Sequence, residues 1–273
     1  MELSKVTALM KATALELAIL TGHLVLYPSG ITAERPSPAD RTDPGDPLAP
    51  SATITPGTRP VVLLHGFVDN RSVFVLLRRT LTRHGGRDCV ESLNYSPLTC
   101  DLRSAAELLG RRVEEIRART GHAEVDIVGH SLGGLVARYY VQRLGGDTRV
   151  RTLVMLGTPH SGTTVAPLAD AHPLVRQMRP GSEVLRELAG PAPGCRTRFV
   201  SFWSDLDQVM VPVETARLDH PDLLAHNVRV SGIGHLALPV HPTVVAGVLE
   251  ALDARGPLAV EARDGDPGAA SVA

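Results

Sequence analysis

The chain has few cysteines and no metal-binding motif. Its 273 residues include only three cysteines, Cys89, Cys100 and Cys195. Three thiols are too few for a disulfide-stapled fold, and their positions allow either a Cys89–Cys100 bridge or three unpaired thiols. Neither C-x-x-C nor H-E-x-x-H occurs. The sequence therefore predicts no metal site.

An excess of charge of one sign is also missing. The formal net charge is −1 at pH 7, and no basic stripe runs along the chain. The sequence therefore predicts no nucleic-acid partner. Aromatic residues are scarce as well, at 3%, but that composition says little about function. A chain of this length is sufficient to bury one large α/β core.

No apolar run is long enough to cross a bilayer comfortably. The mostly apolar segment from Ala12 to Tyr27 is interrupted by Glu16 and His23, and no small-residue cleavage site directly follows it. Residues 1–30 are predicted to form an apolar or amphipathic helix that packs on the protein body. Contact with a membrane surface is the alternative, and an uncleaved signal is the third option. A secreted or envelope-associated location is favoured over the cytoplasm, which stays open.

The composition divides the remaining chain into a linker, a main domain and a tail. Residues 31–59 are rich in proline, aspartate, serine and threonine, which predicts an extended or mobile linker. Residues 60–256 are predicted to form the catalytic domain. Within it, residues 161–193 depart from the regular rhythm and form either a lid or an ordinary covering segment. Residues 257–273 are predicted to be a disordered tail.

Strand and helix patterns alternate through the main domain. Short β-branched apolar runs predict strands at 61–64, 90–95, 125–128, 151–156, 198–203 and 228–231. Helical spacing predicts helices at 72–84, 104–120, 132–144 and 242–255, with weaker helical patterns at 165–171 and 183–188. This alternation predicts an α/β fold with a mostly parallel central sheet and helices on both faces.

A G-x-S-x-G motif lies between a strand and a helix. Gly129-His130-Ser131-Leu132-Gly133 follows the 125–128 strand and opens the 132–144 helix. In that setting the motif is typical of a nucleophile elbow, a strained tight turn that lifts the serine hydroxyl above the sheet. Ser131 is therefore the candidate nucleophile.

A serine nucleophile needs a base to take its proton and an acid to orient that base. His235 follows the last predicted strand in a glycine-rich turn and is the candidate base. Asp205 and Asp207 both follow the 198–203 strand, and Asp207 is favoured as the acid because Asp205 is well placed to bond to local backbone. The competing histidines are His220 and His226, both interpreted as surface residues, and His241, interpreted as a helix-start residue.

Two main-chain amides are the candidates for an oxyanion hole. One belongs to Leu132, directly after the nucleophile, and the other to Phe67, in the turn after the first strand. His65 in that turn either contributes to the site or only holds the turn together. The side chains of Phe67, Leu132 and Leu236 are candidate substrate-binding residues, although each position is equally compatible with the core.

These segments together resemble a known family. The resemblance rests on residues 61–67 (VVLLHGF), 129–134 (GHSLGG), 156–162 (LGTPHSG) and 232–236 (GIGHL). The sequence is similar to bacterial lipases of the α/β-hydrolase fold, most of all to small actinobacterial and Bacillus-type triacylglycerol lipases and esterases. The similarity covers about residues 59–255, and residues 204–209 (SDLDQV) resemble the family's acid loop, which also favours Asp207.

The resemblance implies a serine hydrolase that cleaves carboxylic esters, often of lipids, without a cofactor. An acyltransferase, a thioesterase or a polyester hydrolase would use the same triad, so the sequence does not separate them. A non-catalytic binding module on the same fold is the alternative from another class. Larger members carry a structural calcium ion, but no complete calcium site is recognisable in this sequence.

Overall fold

A six-stranded parallel sheet forms the centre of the protein. The structure, a computed structural model, describes residues 7, 10–22, 58–67, 70–83, 85–95, 101–165 and 172–254. The strands are β1 (Val61–Leu64), β2 (Val90–Leu93), β3 (Val125–His130), β4 (Val150–Leu156), β5 (Arg198–Ser204) and β6 (Leu224–Val230). They lie in the order β2-β1-β3-β4-β5-β6, and every pairing is parallel.

Helices cover both faces of this sheet. They are α1 (residues 10–22), α2 (Val75–Arg83), α3 (Leu102–Thr120), α4 (Leu132–Arg143), α5 (Pro173–Gln177), α6 (Glu183–Ala189) and α7 (Pro242–Asp253). Helices α3, α4, α5 and α6 contribute to one apolar core, while α2 and α7 contribute to the other. The predicted fold class, a parallel sheet between two helical layers, is confirmed.

The alternation of side chains along β1 explains why the sheet needs two cores. All four residues of β1 are fully buried. Val62 and Leu64 belong to the core beneath α3 and α4, whereas Val61 and Leu63 belong to the core beneath α2 and α7. Successive strand residues point to opposite faces, so a strand covered on both sides has to be apolar throughout.

Helix α1 packs on the protein body in the residues that the structure describes. Ala12 is only 1% exposed, and Ile19 packs against the core beneath α2 and α7. Body packing, the first of the three interpretations of this segment, therefore applies to residues 10–22. Membrane contact stays a prediction. Within the described segments, no helix has both the length and the apolar character needed to cross a membrane.

Several predicted element boundaries were wrong. Strand β6 begins at Leu224 rather than at residue 228. The pattern missed its first residues because they are partly polar and exposed, as this strand lies at the edge of the described sheet. Strand β2 ends at Leu93, two residues earlier than predicted, and the side chain of the next residue, Asn94, accepts a hydrogen bond from the Arg71 amide at 3.2 Å. The helix predicted from residue 72 opens instead as a 3₁₀ turn at Arg71–Phe74.

Other predictions fall outside the described residues. These include most of the 31–59 linker, the 257–273 tail and Cys100, so the domain boundaries and a Cys89–Cys100 bridge stay predictions. The weak helical pattern at 165–171 also lies outside, apart from its first residue. The pattern at 183–188 corresponds to α6, which packs against α4. A lid role for residues 161–193 stays a prediction.

Candidate active site

The candidate residues gather at the carboxyl edge of the sheet. Strand β1 pairs with β2 on one side and with β3 on the other, with Leu64 opposite Gly129. The strand order therefore reverses between β1 and β3, and open parallel sheets bind ligands at such a switch point. Four candidate residues follow the ends of β1, β3, β5 and β6: Phe67, Ser131, Asp207 and His235.

Ser131 adopts a strained backbone conformation. Its φ is 53° and its ψ is −120°, and it is the only non-glycine residue with positive φ in the described part of the chain. Such a conformation costs about 1–3 kcal/mol and persists only where the surroundings hold it. Here the Ser131 amide donates to the Leu156 carbonyl at 2.8 Å, and Thr158 Oγ1 donates to the Ser131 carbonyl at 3.1 Å. The turn has the geometry of a nucleophile elbow.

The glycines of the motif permit close backbone approach around this turn. A Cβ at Gly129 would lie 2.6 Å from the Gly134 nitrogen, because the turn folds back onto its own strand. A Cβ at Gly133 would lie 2.7 Å from the His65 carbonyl oxygen, because α4 begins against the end of β1. Any side chain at either position would push the elbow away from the neighbouring backbone.

His235 and Asp207 form a buried hydrogen-bonded pair. His235 Nδ1 lies 2.7 Å from Asp207 Oδ2, and the two residues are 4% and 2% exposed. The other carboxylate oxygen, Oδ1, accepts from the amides of Val209 at 2.9 Å and Met210 at 3.0 Å. Burial alone would raise the pKa of Asp207, but the charge of His235 and these hydrogen bonds hold it below its usual value. Asp207 is therefore ionised at neutral pH.

Asp205 has different partners. Its carboxylate accepts from Arg229 Nη2 at 3.0 Å and from the Gly232 amide at 3.3 Å. It thus shapes the turn that precedes His235, the structural role considered for it from the sequence. The carboxylate that accepts the hydrogen bond of the His235 imidazole is that of Asp207.

The competing histidines lie in other surroundings. His220 is 8% exposed, so the surface interpretation was wrong for it: its Nε2 lies 3.0 Å from the Gly190 carbonyl, and its Nδ1 accepts from the Asp222 amide. His226 is exposed on the edge strand β6. His241 is the residue before α7, as its sequence position indicated.

The two candidate oxyanion donors flank the elbow. Leu132 is the first residue of α4, and its side chain is fully buried in the core beneath that helix. Phe67 follows β1 and is partly buried, as is Leu236. His65 Nδ1 lies 2.9 Å from the Gly66 carbonyl, and its ring stacks on Tyr95 at 4.5 Å. These contacts fit the structural role considered for His65 from the sequence, which is to hold the turn before Phe67.

The sequence interpretation gave no role to three residues that contact or border the segment carrying His235. His130 Nε2 lies 3.3 Å from the His235 carbonyl oxygen, and the two rings are 4.8 Å apart. Ser204 Oγ donates to the Ile233 carbonyl at 2.5 Å. A Cβ at Gly157, whose φ is +56°, would lie 3.0 Å from the His235 ring. All three residues lie inside segments that the sequence singled out, 129–134, 156–162 and 204–209, which was the available signal.

No metal-binding cluster occurs among the residues that the structure describes. A group of three or more histidine, cysteine, aspartate or glutamate side chains with metal-ligand geometry is absent from these segments.

A family model matches residues 29–193, more than half of the chain, and its description is a domain of unknown function, DUF7379. The chain belongs to this family. The DUF7379 protein is also 30% identical over 135 residues to a triacylglycerol lipase from Burkholderia plantarii, an alignment that covers 47% of this chain and 37% of that enzyme. The chain therefore spans little more than a third of the length of this curated relative.

Two solved structures resemble the fold of this DUF7379 member. Lipase B from Aspergillus fumigatus has a TM-score of 0.64 at 18% identity, covering 74% of this chain and 54% of that one. The mature form of Bacillus licheniformis lipase BlEst2 has a TM-score of 0.58 at 17% identity, covering 81% and 96%. The predicted α/β-hydrolase fold and the resemblance to bacterial lipases and esterases are confirmed.

Proposed function

We propose that this protein hydrolyses carboxylic esters through a triad of Ser131, His235 and Asp207. The observation that carries this proposal is the convergence of two features at one edge of the sheet. A strained serine stands at the end of β3 beside the switch point, and a buried His235–Asp207 hydrogen bond of 2.7 Å follows the ends of β5 and β6. A serine, a base and an orienting acid are the parts that acyl transfer requires.

In the proposed reaction, His235 Nε2 removes the proton from Ser131 Oγ as this oxygen attacks the ester carbonyl. Asp207 accepts the Nδ1–H of the ring, fixes its tautomer and stabilises the imidazolium that forms. The imidazolium then protonates the leaving alcohol, which leaves an acyl group on Ser131. Water enters, gives a proton to His235 and hydrolyses the acyl-enzyme by the same steps in reverse.

The amides of Leu132 and Phe67 are the proposed oxyanion hole. Leu132 N–H is at the amino end of α4, where main-chain donors and the helix dipole both favour negative charge. Each such donor is worth about 2.7–4 kcal/mol of transition-state stabilisation. Because the donors belong to the main chain, substituting the side chain of Leu132 or Phe67 should cost less than removing a donor.

A lipid acyl ester is the proposed substrate class. The relative named a triacylglycerol lipase supports this choice. Phe67 and Leu236 are partly buried apolar side chains next to proposed catalytic groups, which fits an acyl-binding role for both. Leu132 was predicted beside them, and its fully buried side chain fits the core better.

Contact with a lipid surface through α1 is part of this proposal. The described helix exposes apolar side chains: Met10 at 68%, Leu15 at 40%, Leu17 at 60% and Leu20 at 44%. Co-sedimentation with phosphatidylglycerol vesicles tests it, comparing the wild-type protein with a Leu17→Ser, Leu20→Ser variant. Equal binding of the two proteins, or none by either, would contradict a lipid contact at this face.

The main experiment measures initial rates on p-nitrophenyl esters from acetate to palmitate and on emulsified triglyceride. We expect hydrolysis that extends to long chains and to the emulsion, and a drop of about 10⁶-fold in kcat for Ser131→Ala. Ser104→Ala, at an exposed serine of α3, is the matched control and should behave like the wild-type protein.

The other outcomes separate the alternatives. Activity confined to short soluble esters would make the protein an esterase and not a lipase. Full activity in Ser131→Ala would contradict the triad. No activity on any of these esters would direct the search to thioester, polyester or acyl-transfer substrates with the same triad, or to a binding module.

A further inference from the structure

Helix α1 contacts the segment that carries His235, although the two are more than 200 residues apart in sequence. Glu16 Oε2 accepts from the Leu236 amide at 2.8 Å, and Glu16 Oε1 accepts from the Ala237 amide at 2.9 Å. Both oxygens of one carboxylate are therefore used on the two amides that directly follow the proposed base.

These two amides open a tight helical turn. The Leu238 amide donates to the His235 carbonyl at 3.3 Å, so residues 235–238 form the turn. The first N–H groups of such a turn have no main-chain acceptor within it and require a partner from outside. A carboxylate is the strongest acceptor that a side chain offers to two adjacent amides. Glu16 thus fastens the turn directly after His235.

The backbone beside the turn is shaped for this carboxylate. A Cβ at Gly234 would lie 2.5 Å from Glu16 Cγ and 2.7 Å from Glu16 Oε1. The φ of Gly234 is not positive, so close approach and not backbone conformation is what this position needs from glycine. Gly234 lies directly before His235, and the close packing of the Glu16 side chain explains why this position is a glycine.

The same helix also reaches the loop that carries the proposed acid. Gln208, the residue after Asp207, donates from Nε2 to Thr13 Oγ1 at 3.1 Å. Thr13 and Glu16 are three residues apart and share one face of α1. One helix face thus contacts the residue after the acid and the residues after the base, while Ala12 and Ile19 pack α1 onto the body.

We propose that Glu16 is a positioning residue for the triad. Its carboxylate accepts from the two amides that follow His235, while His130 Nε2 lies 3.3 Å from the His235 carbonyl oxygen, so that the imidazole keeps its alignment between Asp207 and Ser131. This inference rests on the proposed function. A misplacement of about 1 Å in a catalytic group is enough to lower a rate by about 100-fold.

The kinetic test compares Glu16→Ala, Glu16→Gln and the wild-type protein on a soluble p-nitrophenyl ester. We expect kcat to fall about 10- to 100-fold in Glu16→Ala with KM little changed. Glu16→Gln keeps one carbonyl oxygen, so it should recover part of the loss. Lys11→Ala, on an exposed position of α1, and Glu107→Gln, an exposed acid on α3, are the controls and should leave kcat unchanged.

A spectroscopic readout separates this inference from the proposed function. The low-field proton resonance of His235 Nδ1–H reports the bond to Asp207 whether or not a substrate is known. Hydrogen exchange reports the amides of Leu236 and Ala237. In Glu16→Ala we expect the resonance to shift or broaden and both amides to exchange faster, while the unfolding midpoint changes little.

The outcomes are distinguishable. An unchanged resonance, unchanged exchange and an unchanged kcat in Glu16→Ala would overturn the positioning role. A loss of kcat that only follows a loss of folded protein, with no recovery in Glu16→Gln, would also overturn it. If the wild-type protein hydrolyses no ester, the proposed function fails, and the resonance and the exchange rates still decide the role of Glu16.

Discussion

Two buried aspartates lie at opposite ends of the parallel sheet, and their surroundings differ. Asp207 follows β5 at the carboxyl edge, where each of its oxygens has a hydrogen-bond donor from His235, Val209 or Met210. Its pKa is below the usual value although burial opposes this. The site therefore holds an ionised carboxylate in one fixed orientation.

Asp126 lies near the start of β3, at the amino edge. Its Oδ2 is 3.3 Å from Arg59 Nε and 3.6 Å from Arg87 Nη1, while Oδ1 has no hydrogen-bond partner among the described residues. Burial raises the pKa of Asp126, and the charges of Arg59, Arg87 and Arg151 offset this rise only in part. The nearby cations therefore stabilise the ionised form of Asp126 less than the short hydrogen bonds stabilise the ionised form of Asp207.

The difference between the surroundings of Asp207 and Asp126 indicates what a buried catalytic carboxylate requires. A carboxylate that orients a base has to remain charged and has to keep its direction, which main-chain amides in a tight loop provide. A carboxylate among long arginine side chains gains charge compensation without a fixed direction. We therefore expect substitutions at the carboxyl edge to change rate and substitutions at the amino edge to change stability.

The largest expected effect within this comparison of the two aspartates is at Asp207. In Asp207→Asn the ring of His235 loses its acceptor and its tautomer is no longer fixed, so kcat on a p-nitrophenyl ester should fall about 10⁴-fold. Asp205→Asn is the control, since Asp205 bonds Arg229 and the Gly232 amide instead. It should lower kcat far less, and comparable losses in both variants would remove the assignment of Asp207 as the acid.

Local sequence patterns were sufficient to predict most of the fold and the candidate triad. Strand β1 is apolar throughout because both of its faces are covered, and such a run is visible in the sequence. Ser131 stands in a motif whose glycines are needed by the turn itself. Asp207 follows β5, which has a clear apolar pattern, and His235 follows β6, of which the sequence predicted the last residues; parallel strands bring their carboxyl ends together.

Long-range support was not predictable in the same way. Glu16 contacts Leu236 across 220 residues, and His130 contacts the His235 carbonyl across 105. The hydrophobic periodicity of the sequence does not indicate such a pairing, because the local pattern of each element is the same with or without the distant partner. The start of β6 was missed for a related reason, since an edge strand with exposed polar residues lacks the apolar run of a central strand.

The next effect concerns the space beside the imidazole. Gly157→Ala would place a methyl group 3.0 Å from the His235 ring, so we expect kcat to fall about 100-fold through displacement of the base. Gly145→Ala is the matched control, because Gly145 also has a positive φ of +74° but nothing lies within 4 Å of its Cβ. Equal kcat values for both variants would show that the contact with His235 does not matter.

The amino edge should respond in stability alone. Asp126→Asn removes the buried negative charge opposite Arg87, whose side chain is 2% exposed. Because the raised pKa of Asp126 means that the folded protein disfavours this charge, and because Arg87 keeps its ion pair with Asp253 at 2.9 Å, we expect the free energy of unfolding in urea to rise by about 2 kcal/mol, with kcat per active site unchanged. Asp219→Asn, at an exposed ion pair with Arg217, should change stability by less than about 1 kcal/mol. A lower kcat in Asp126→Asn would contradict the division between the two edges.

The smallest expected effect concerns His160, a buried histidine that has no carboxylate partner among the described residues. It contrasts with His235, whose imidazole has one. His160 Nε2 lies 3.2 Å from Ser201 Oγ and its Nδ1 lies 3.3 Å from Arg138 Nη1. Burial first and the Arg138 charge second hold the pKa of His160 well below 6.5.

The unfolded chain binds a proton at His160 below about pH 6.5 while the folded protein does not, so this residue makes stability fall as the pH falls. Between pH 6.5 and 5.5 the unfolding free energy of the wild-type protein should drop by about 1 kcal/mol more than that of His160→Gln. Parallel curves for wild type and His160→Gln would show that His160 accepts a proton in the folded protein.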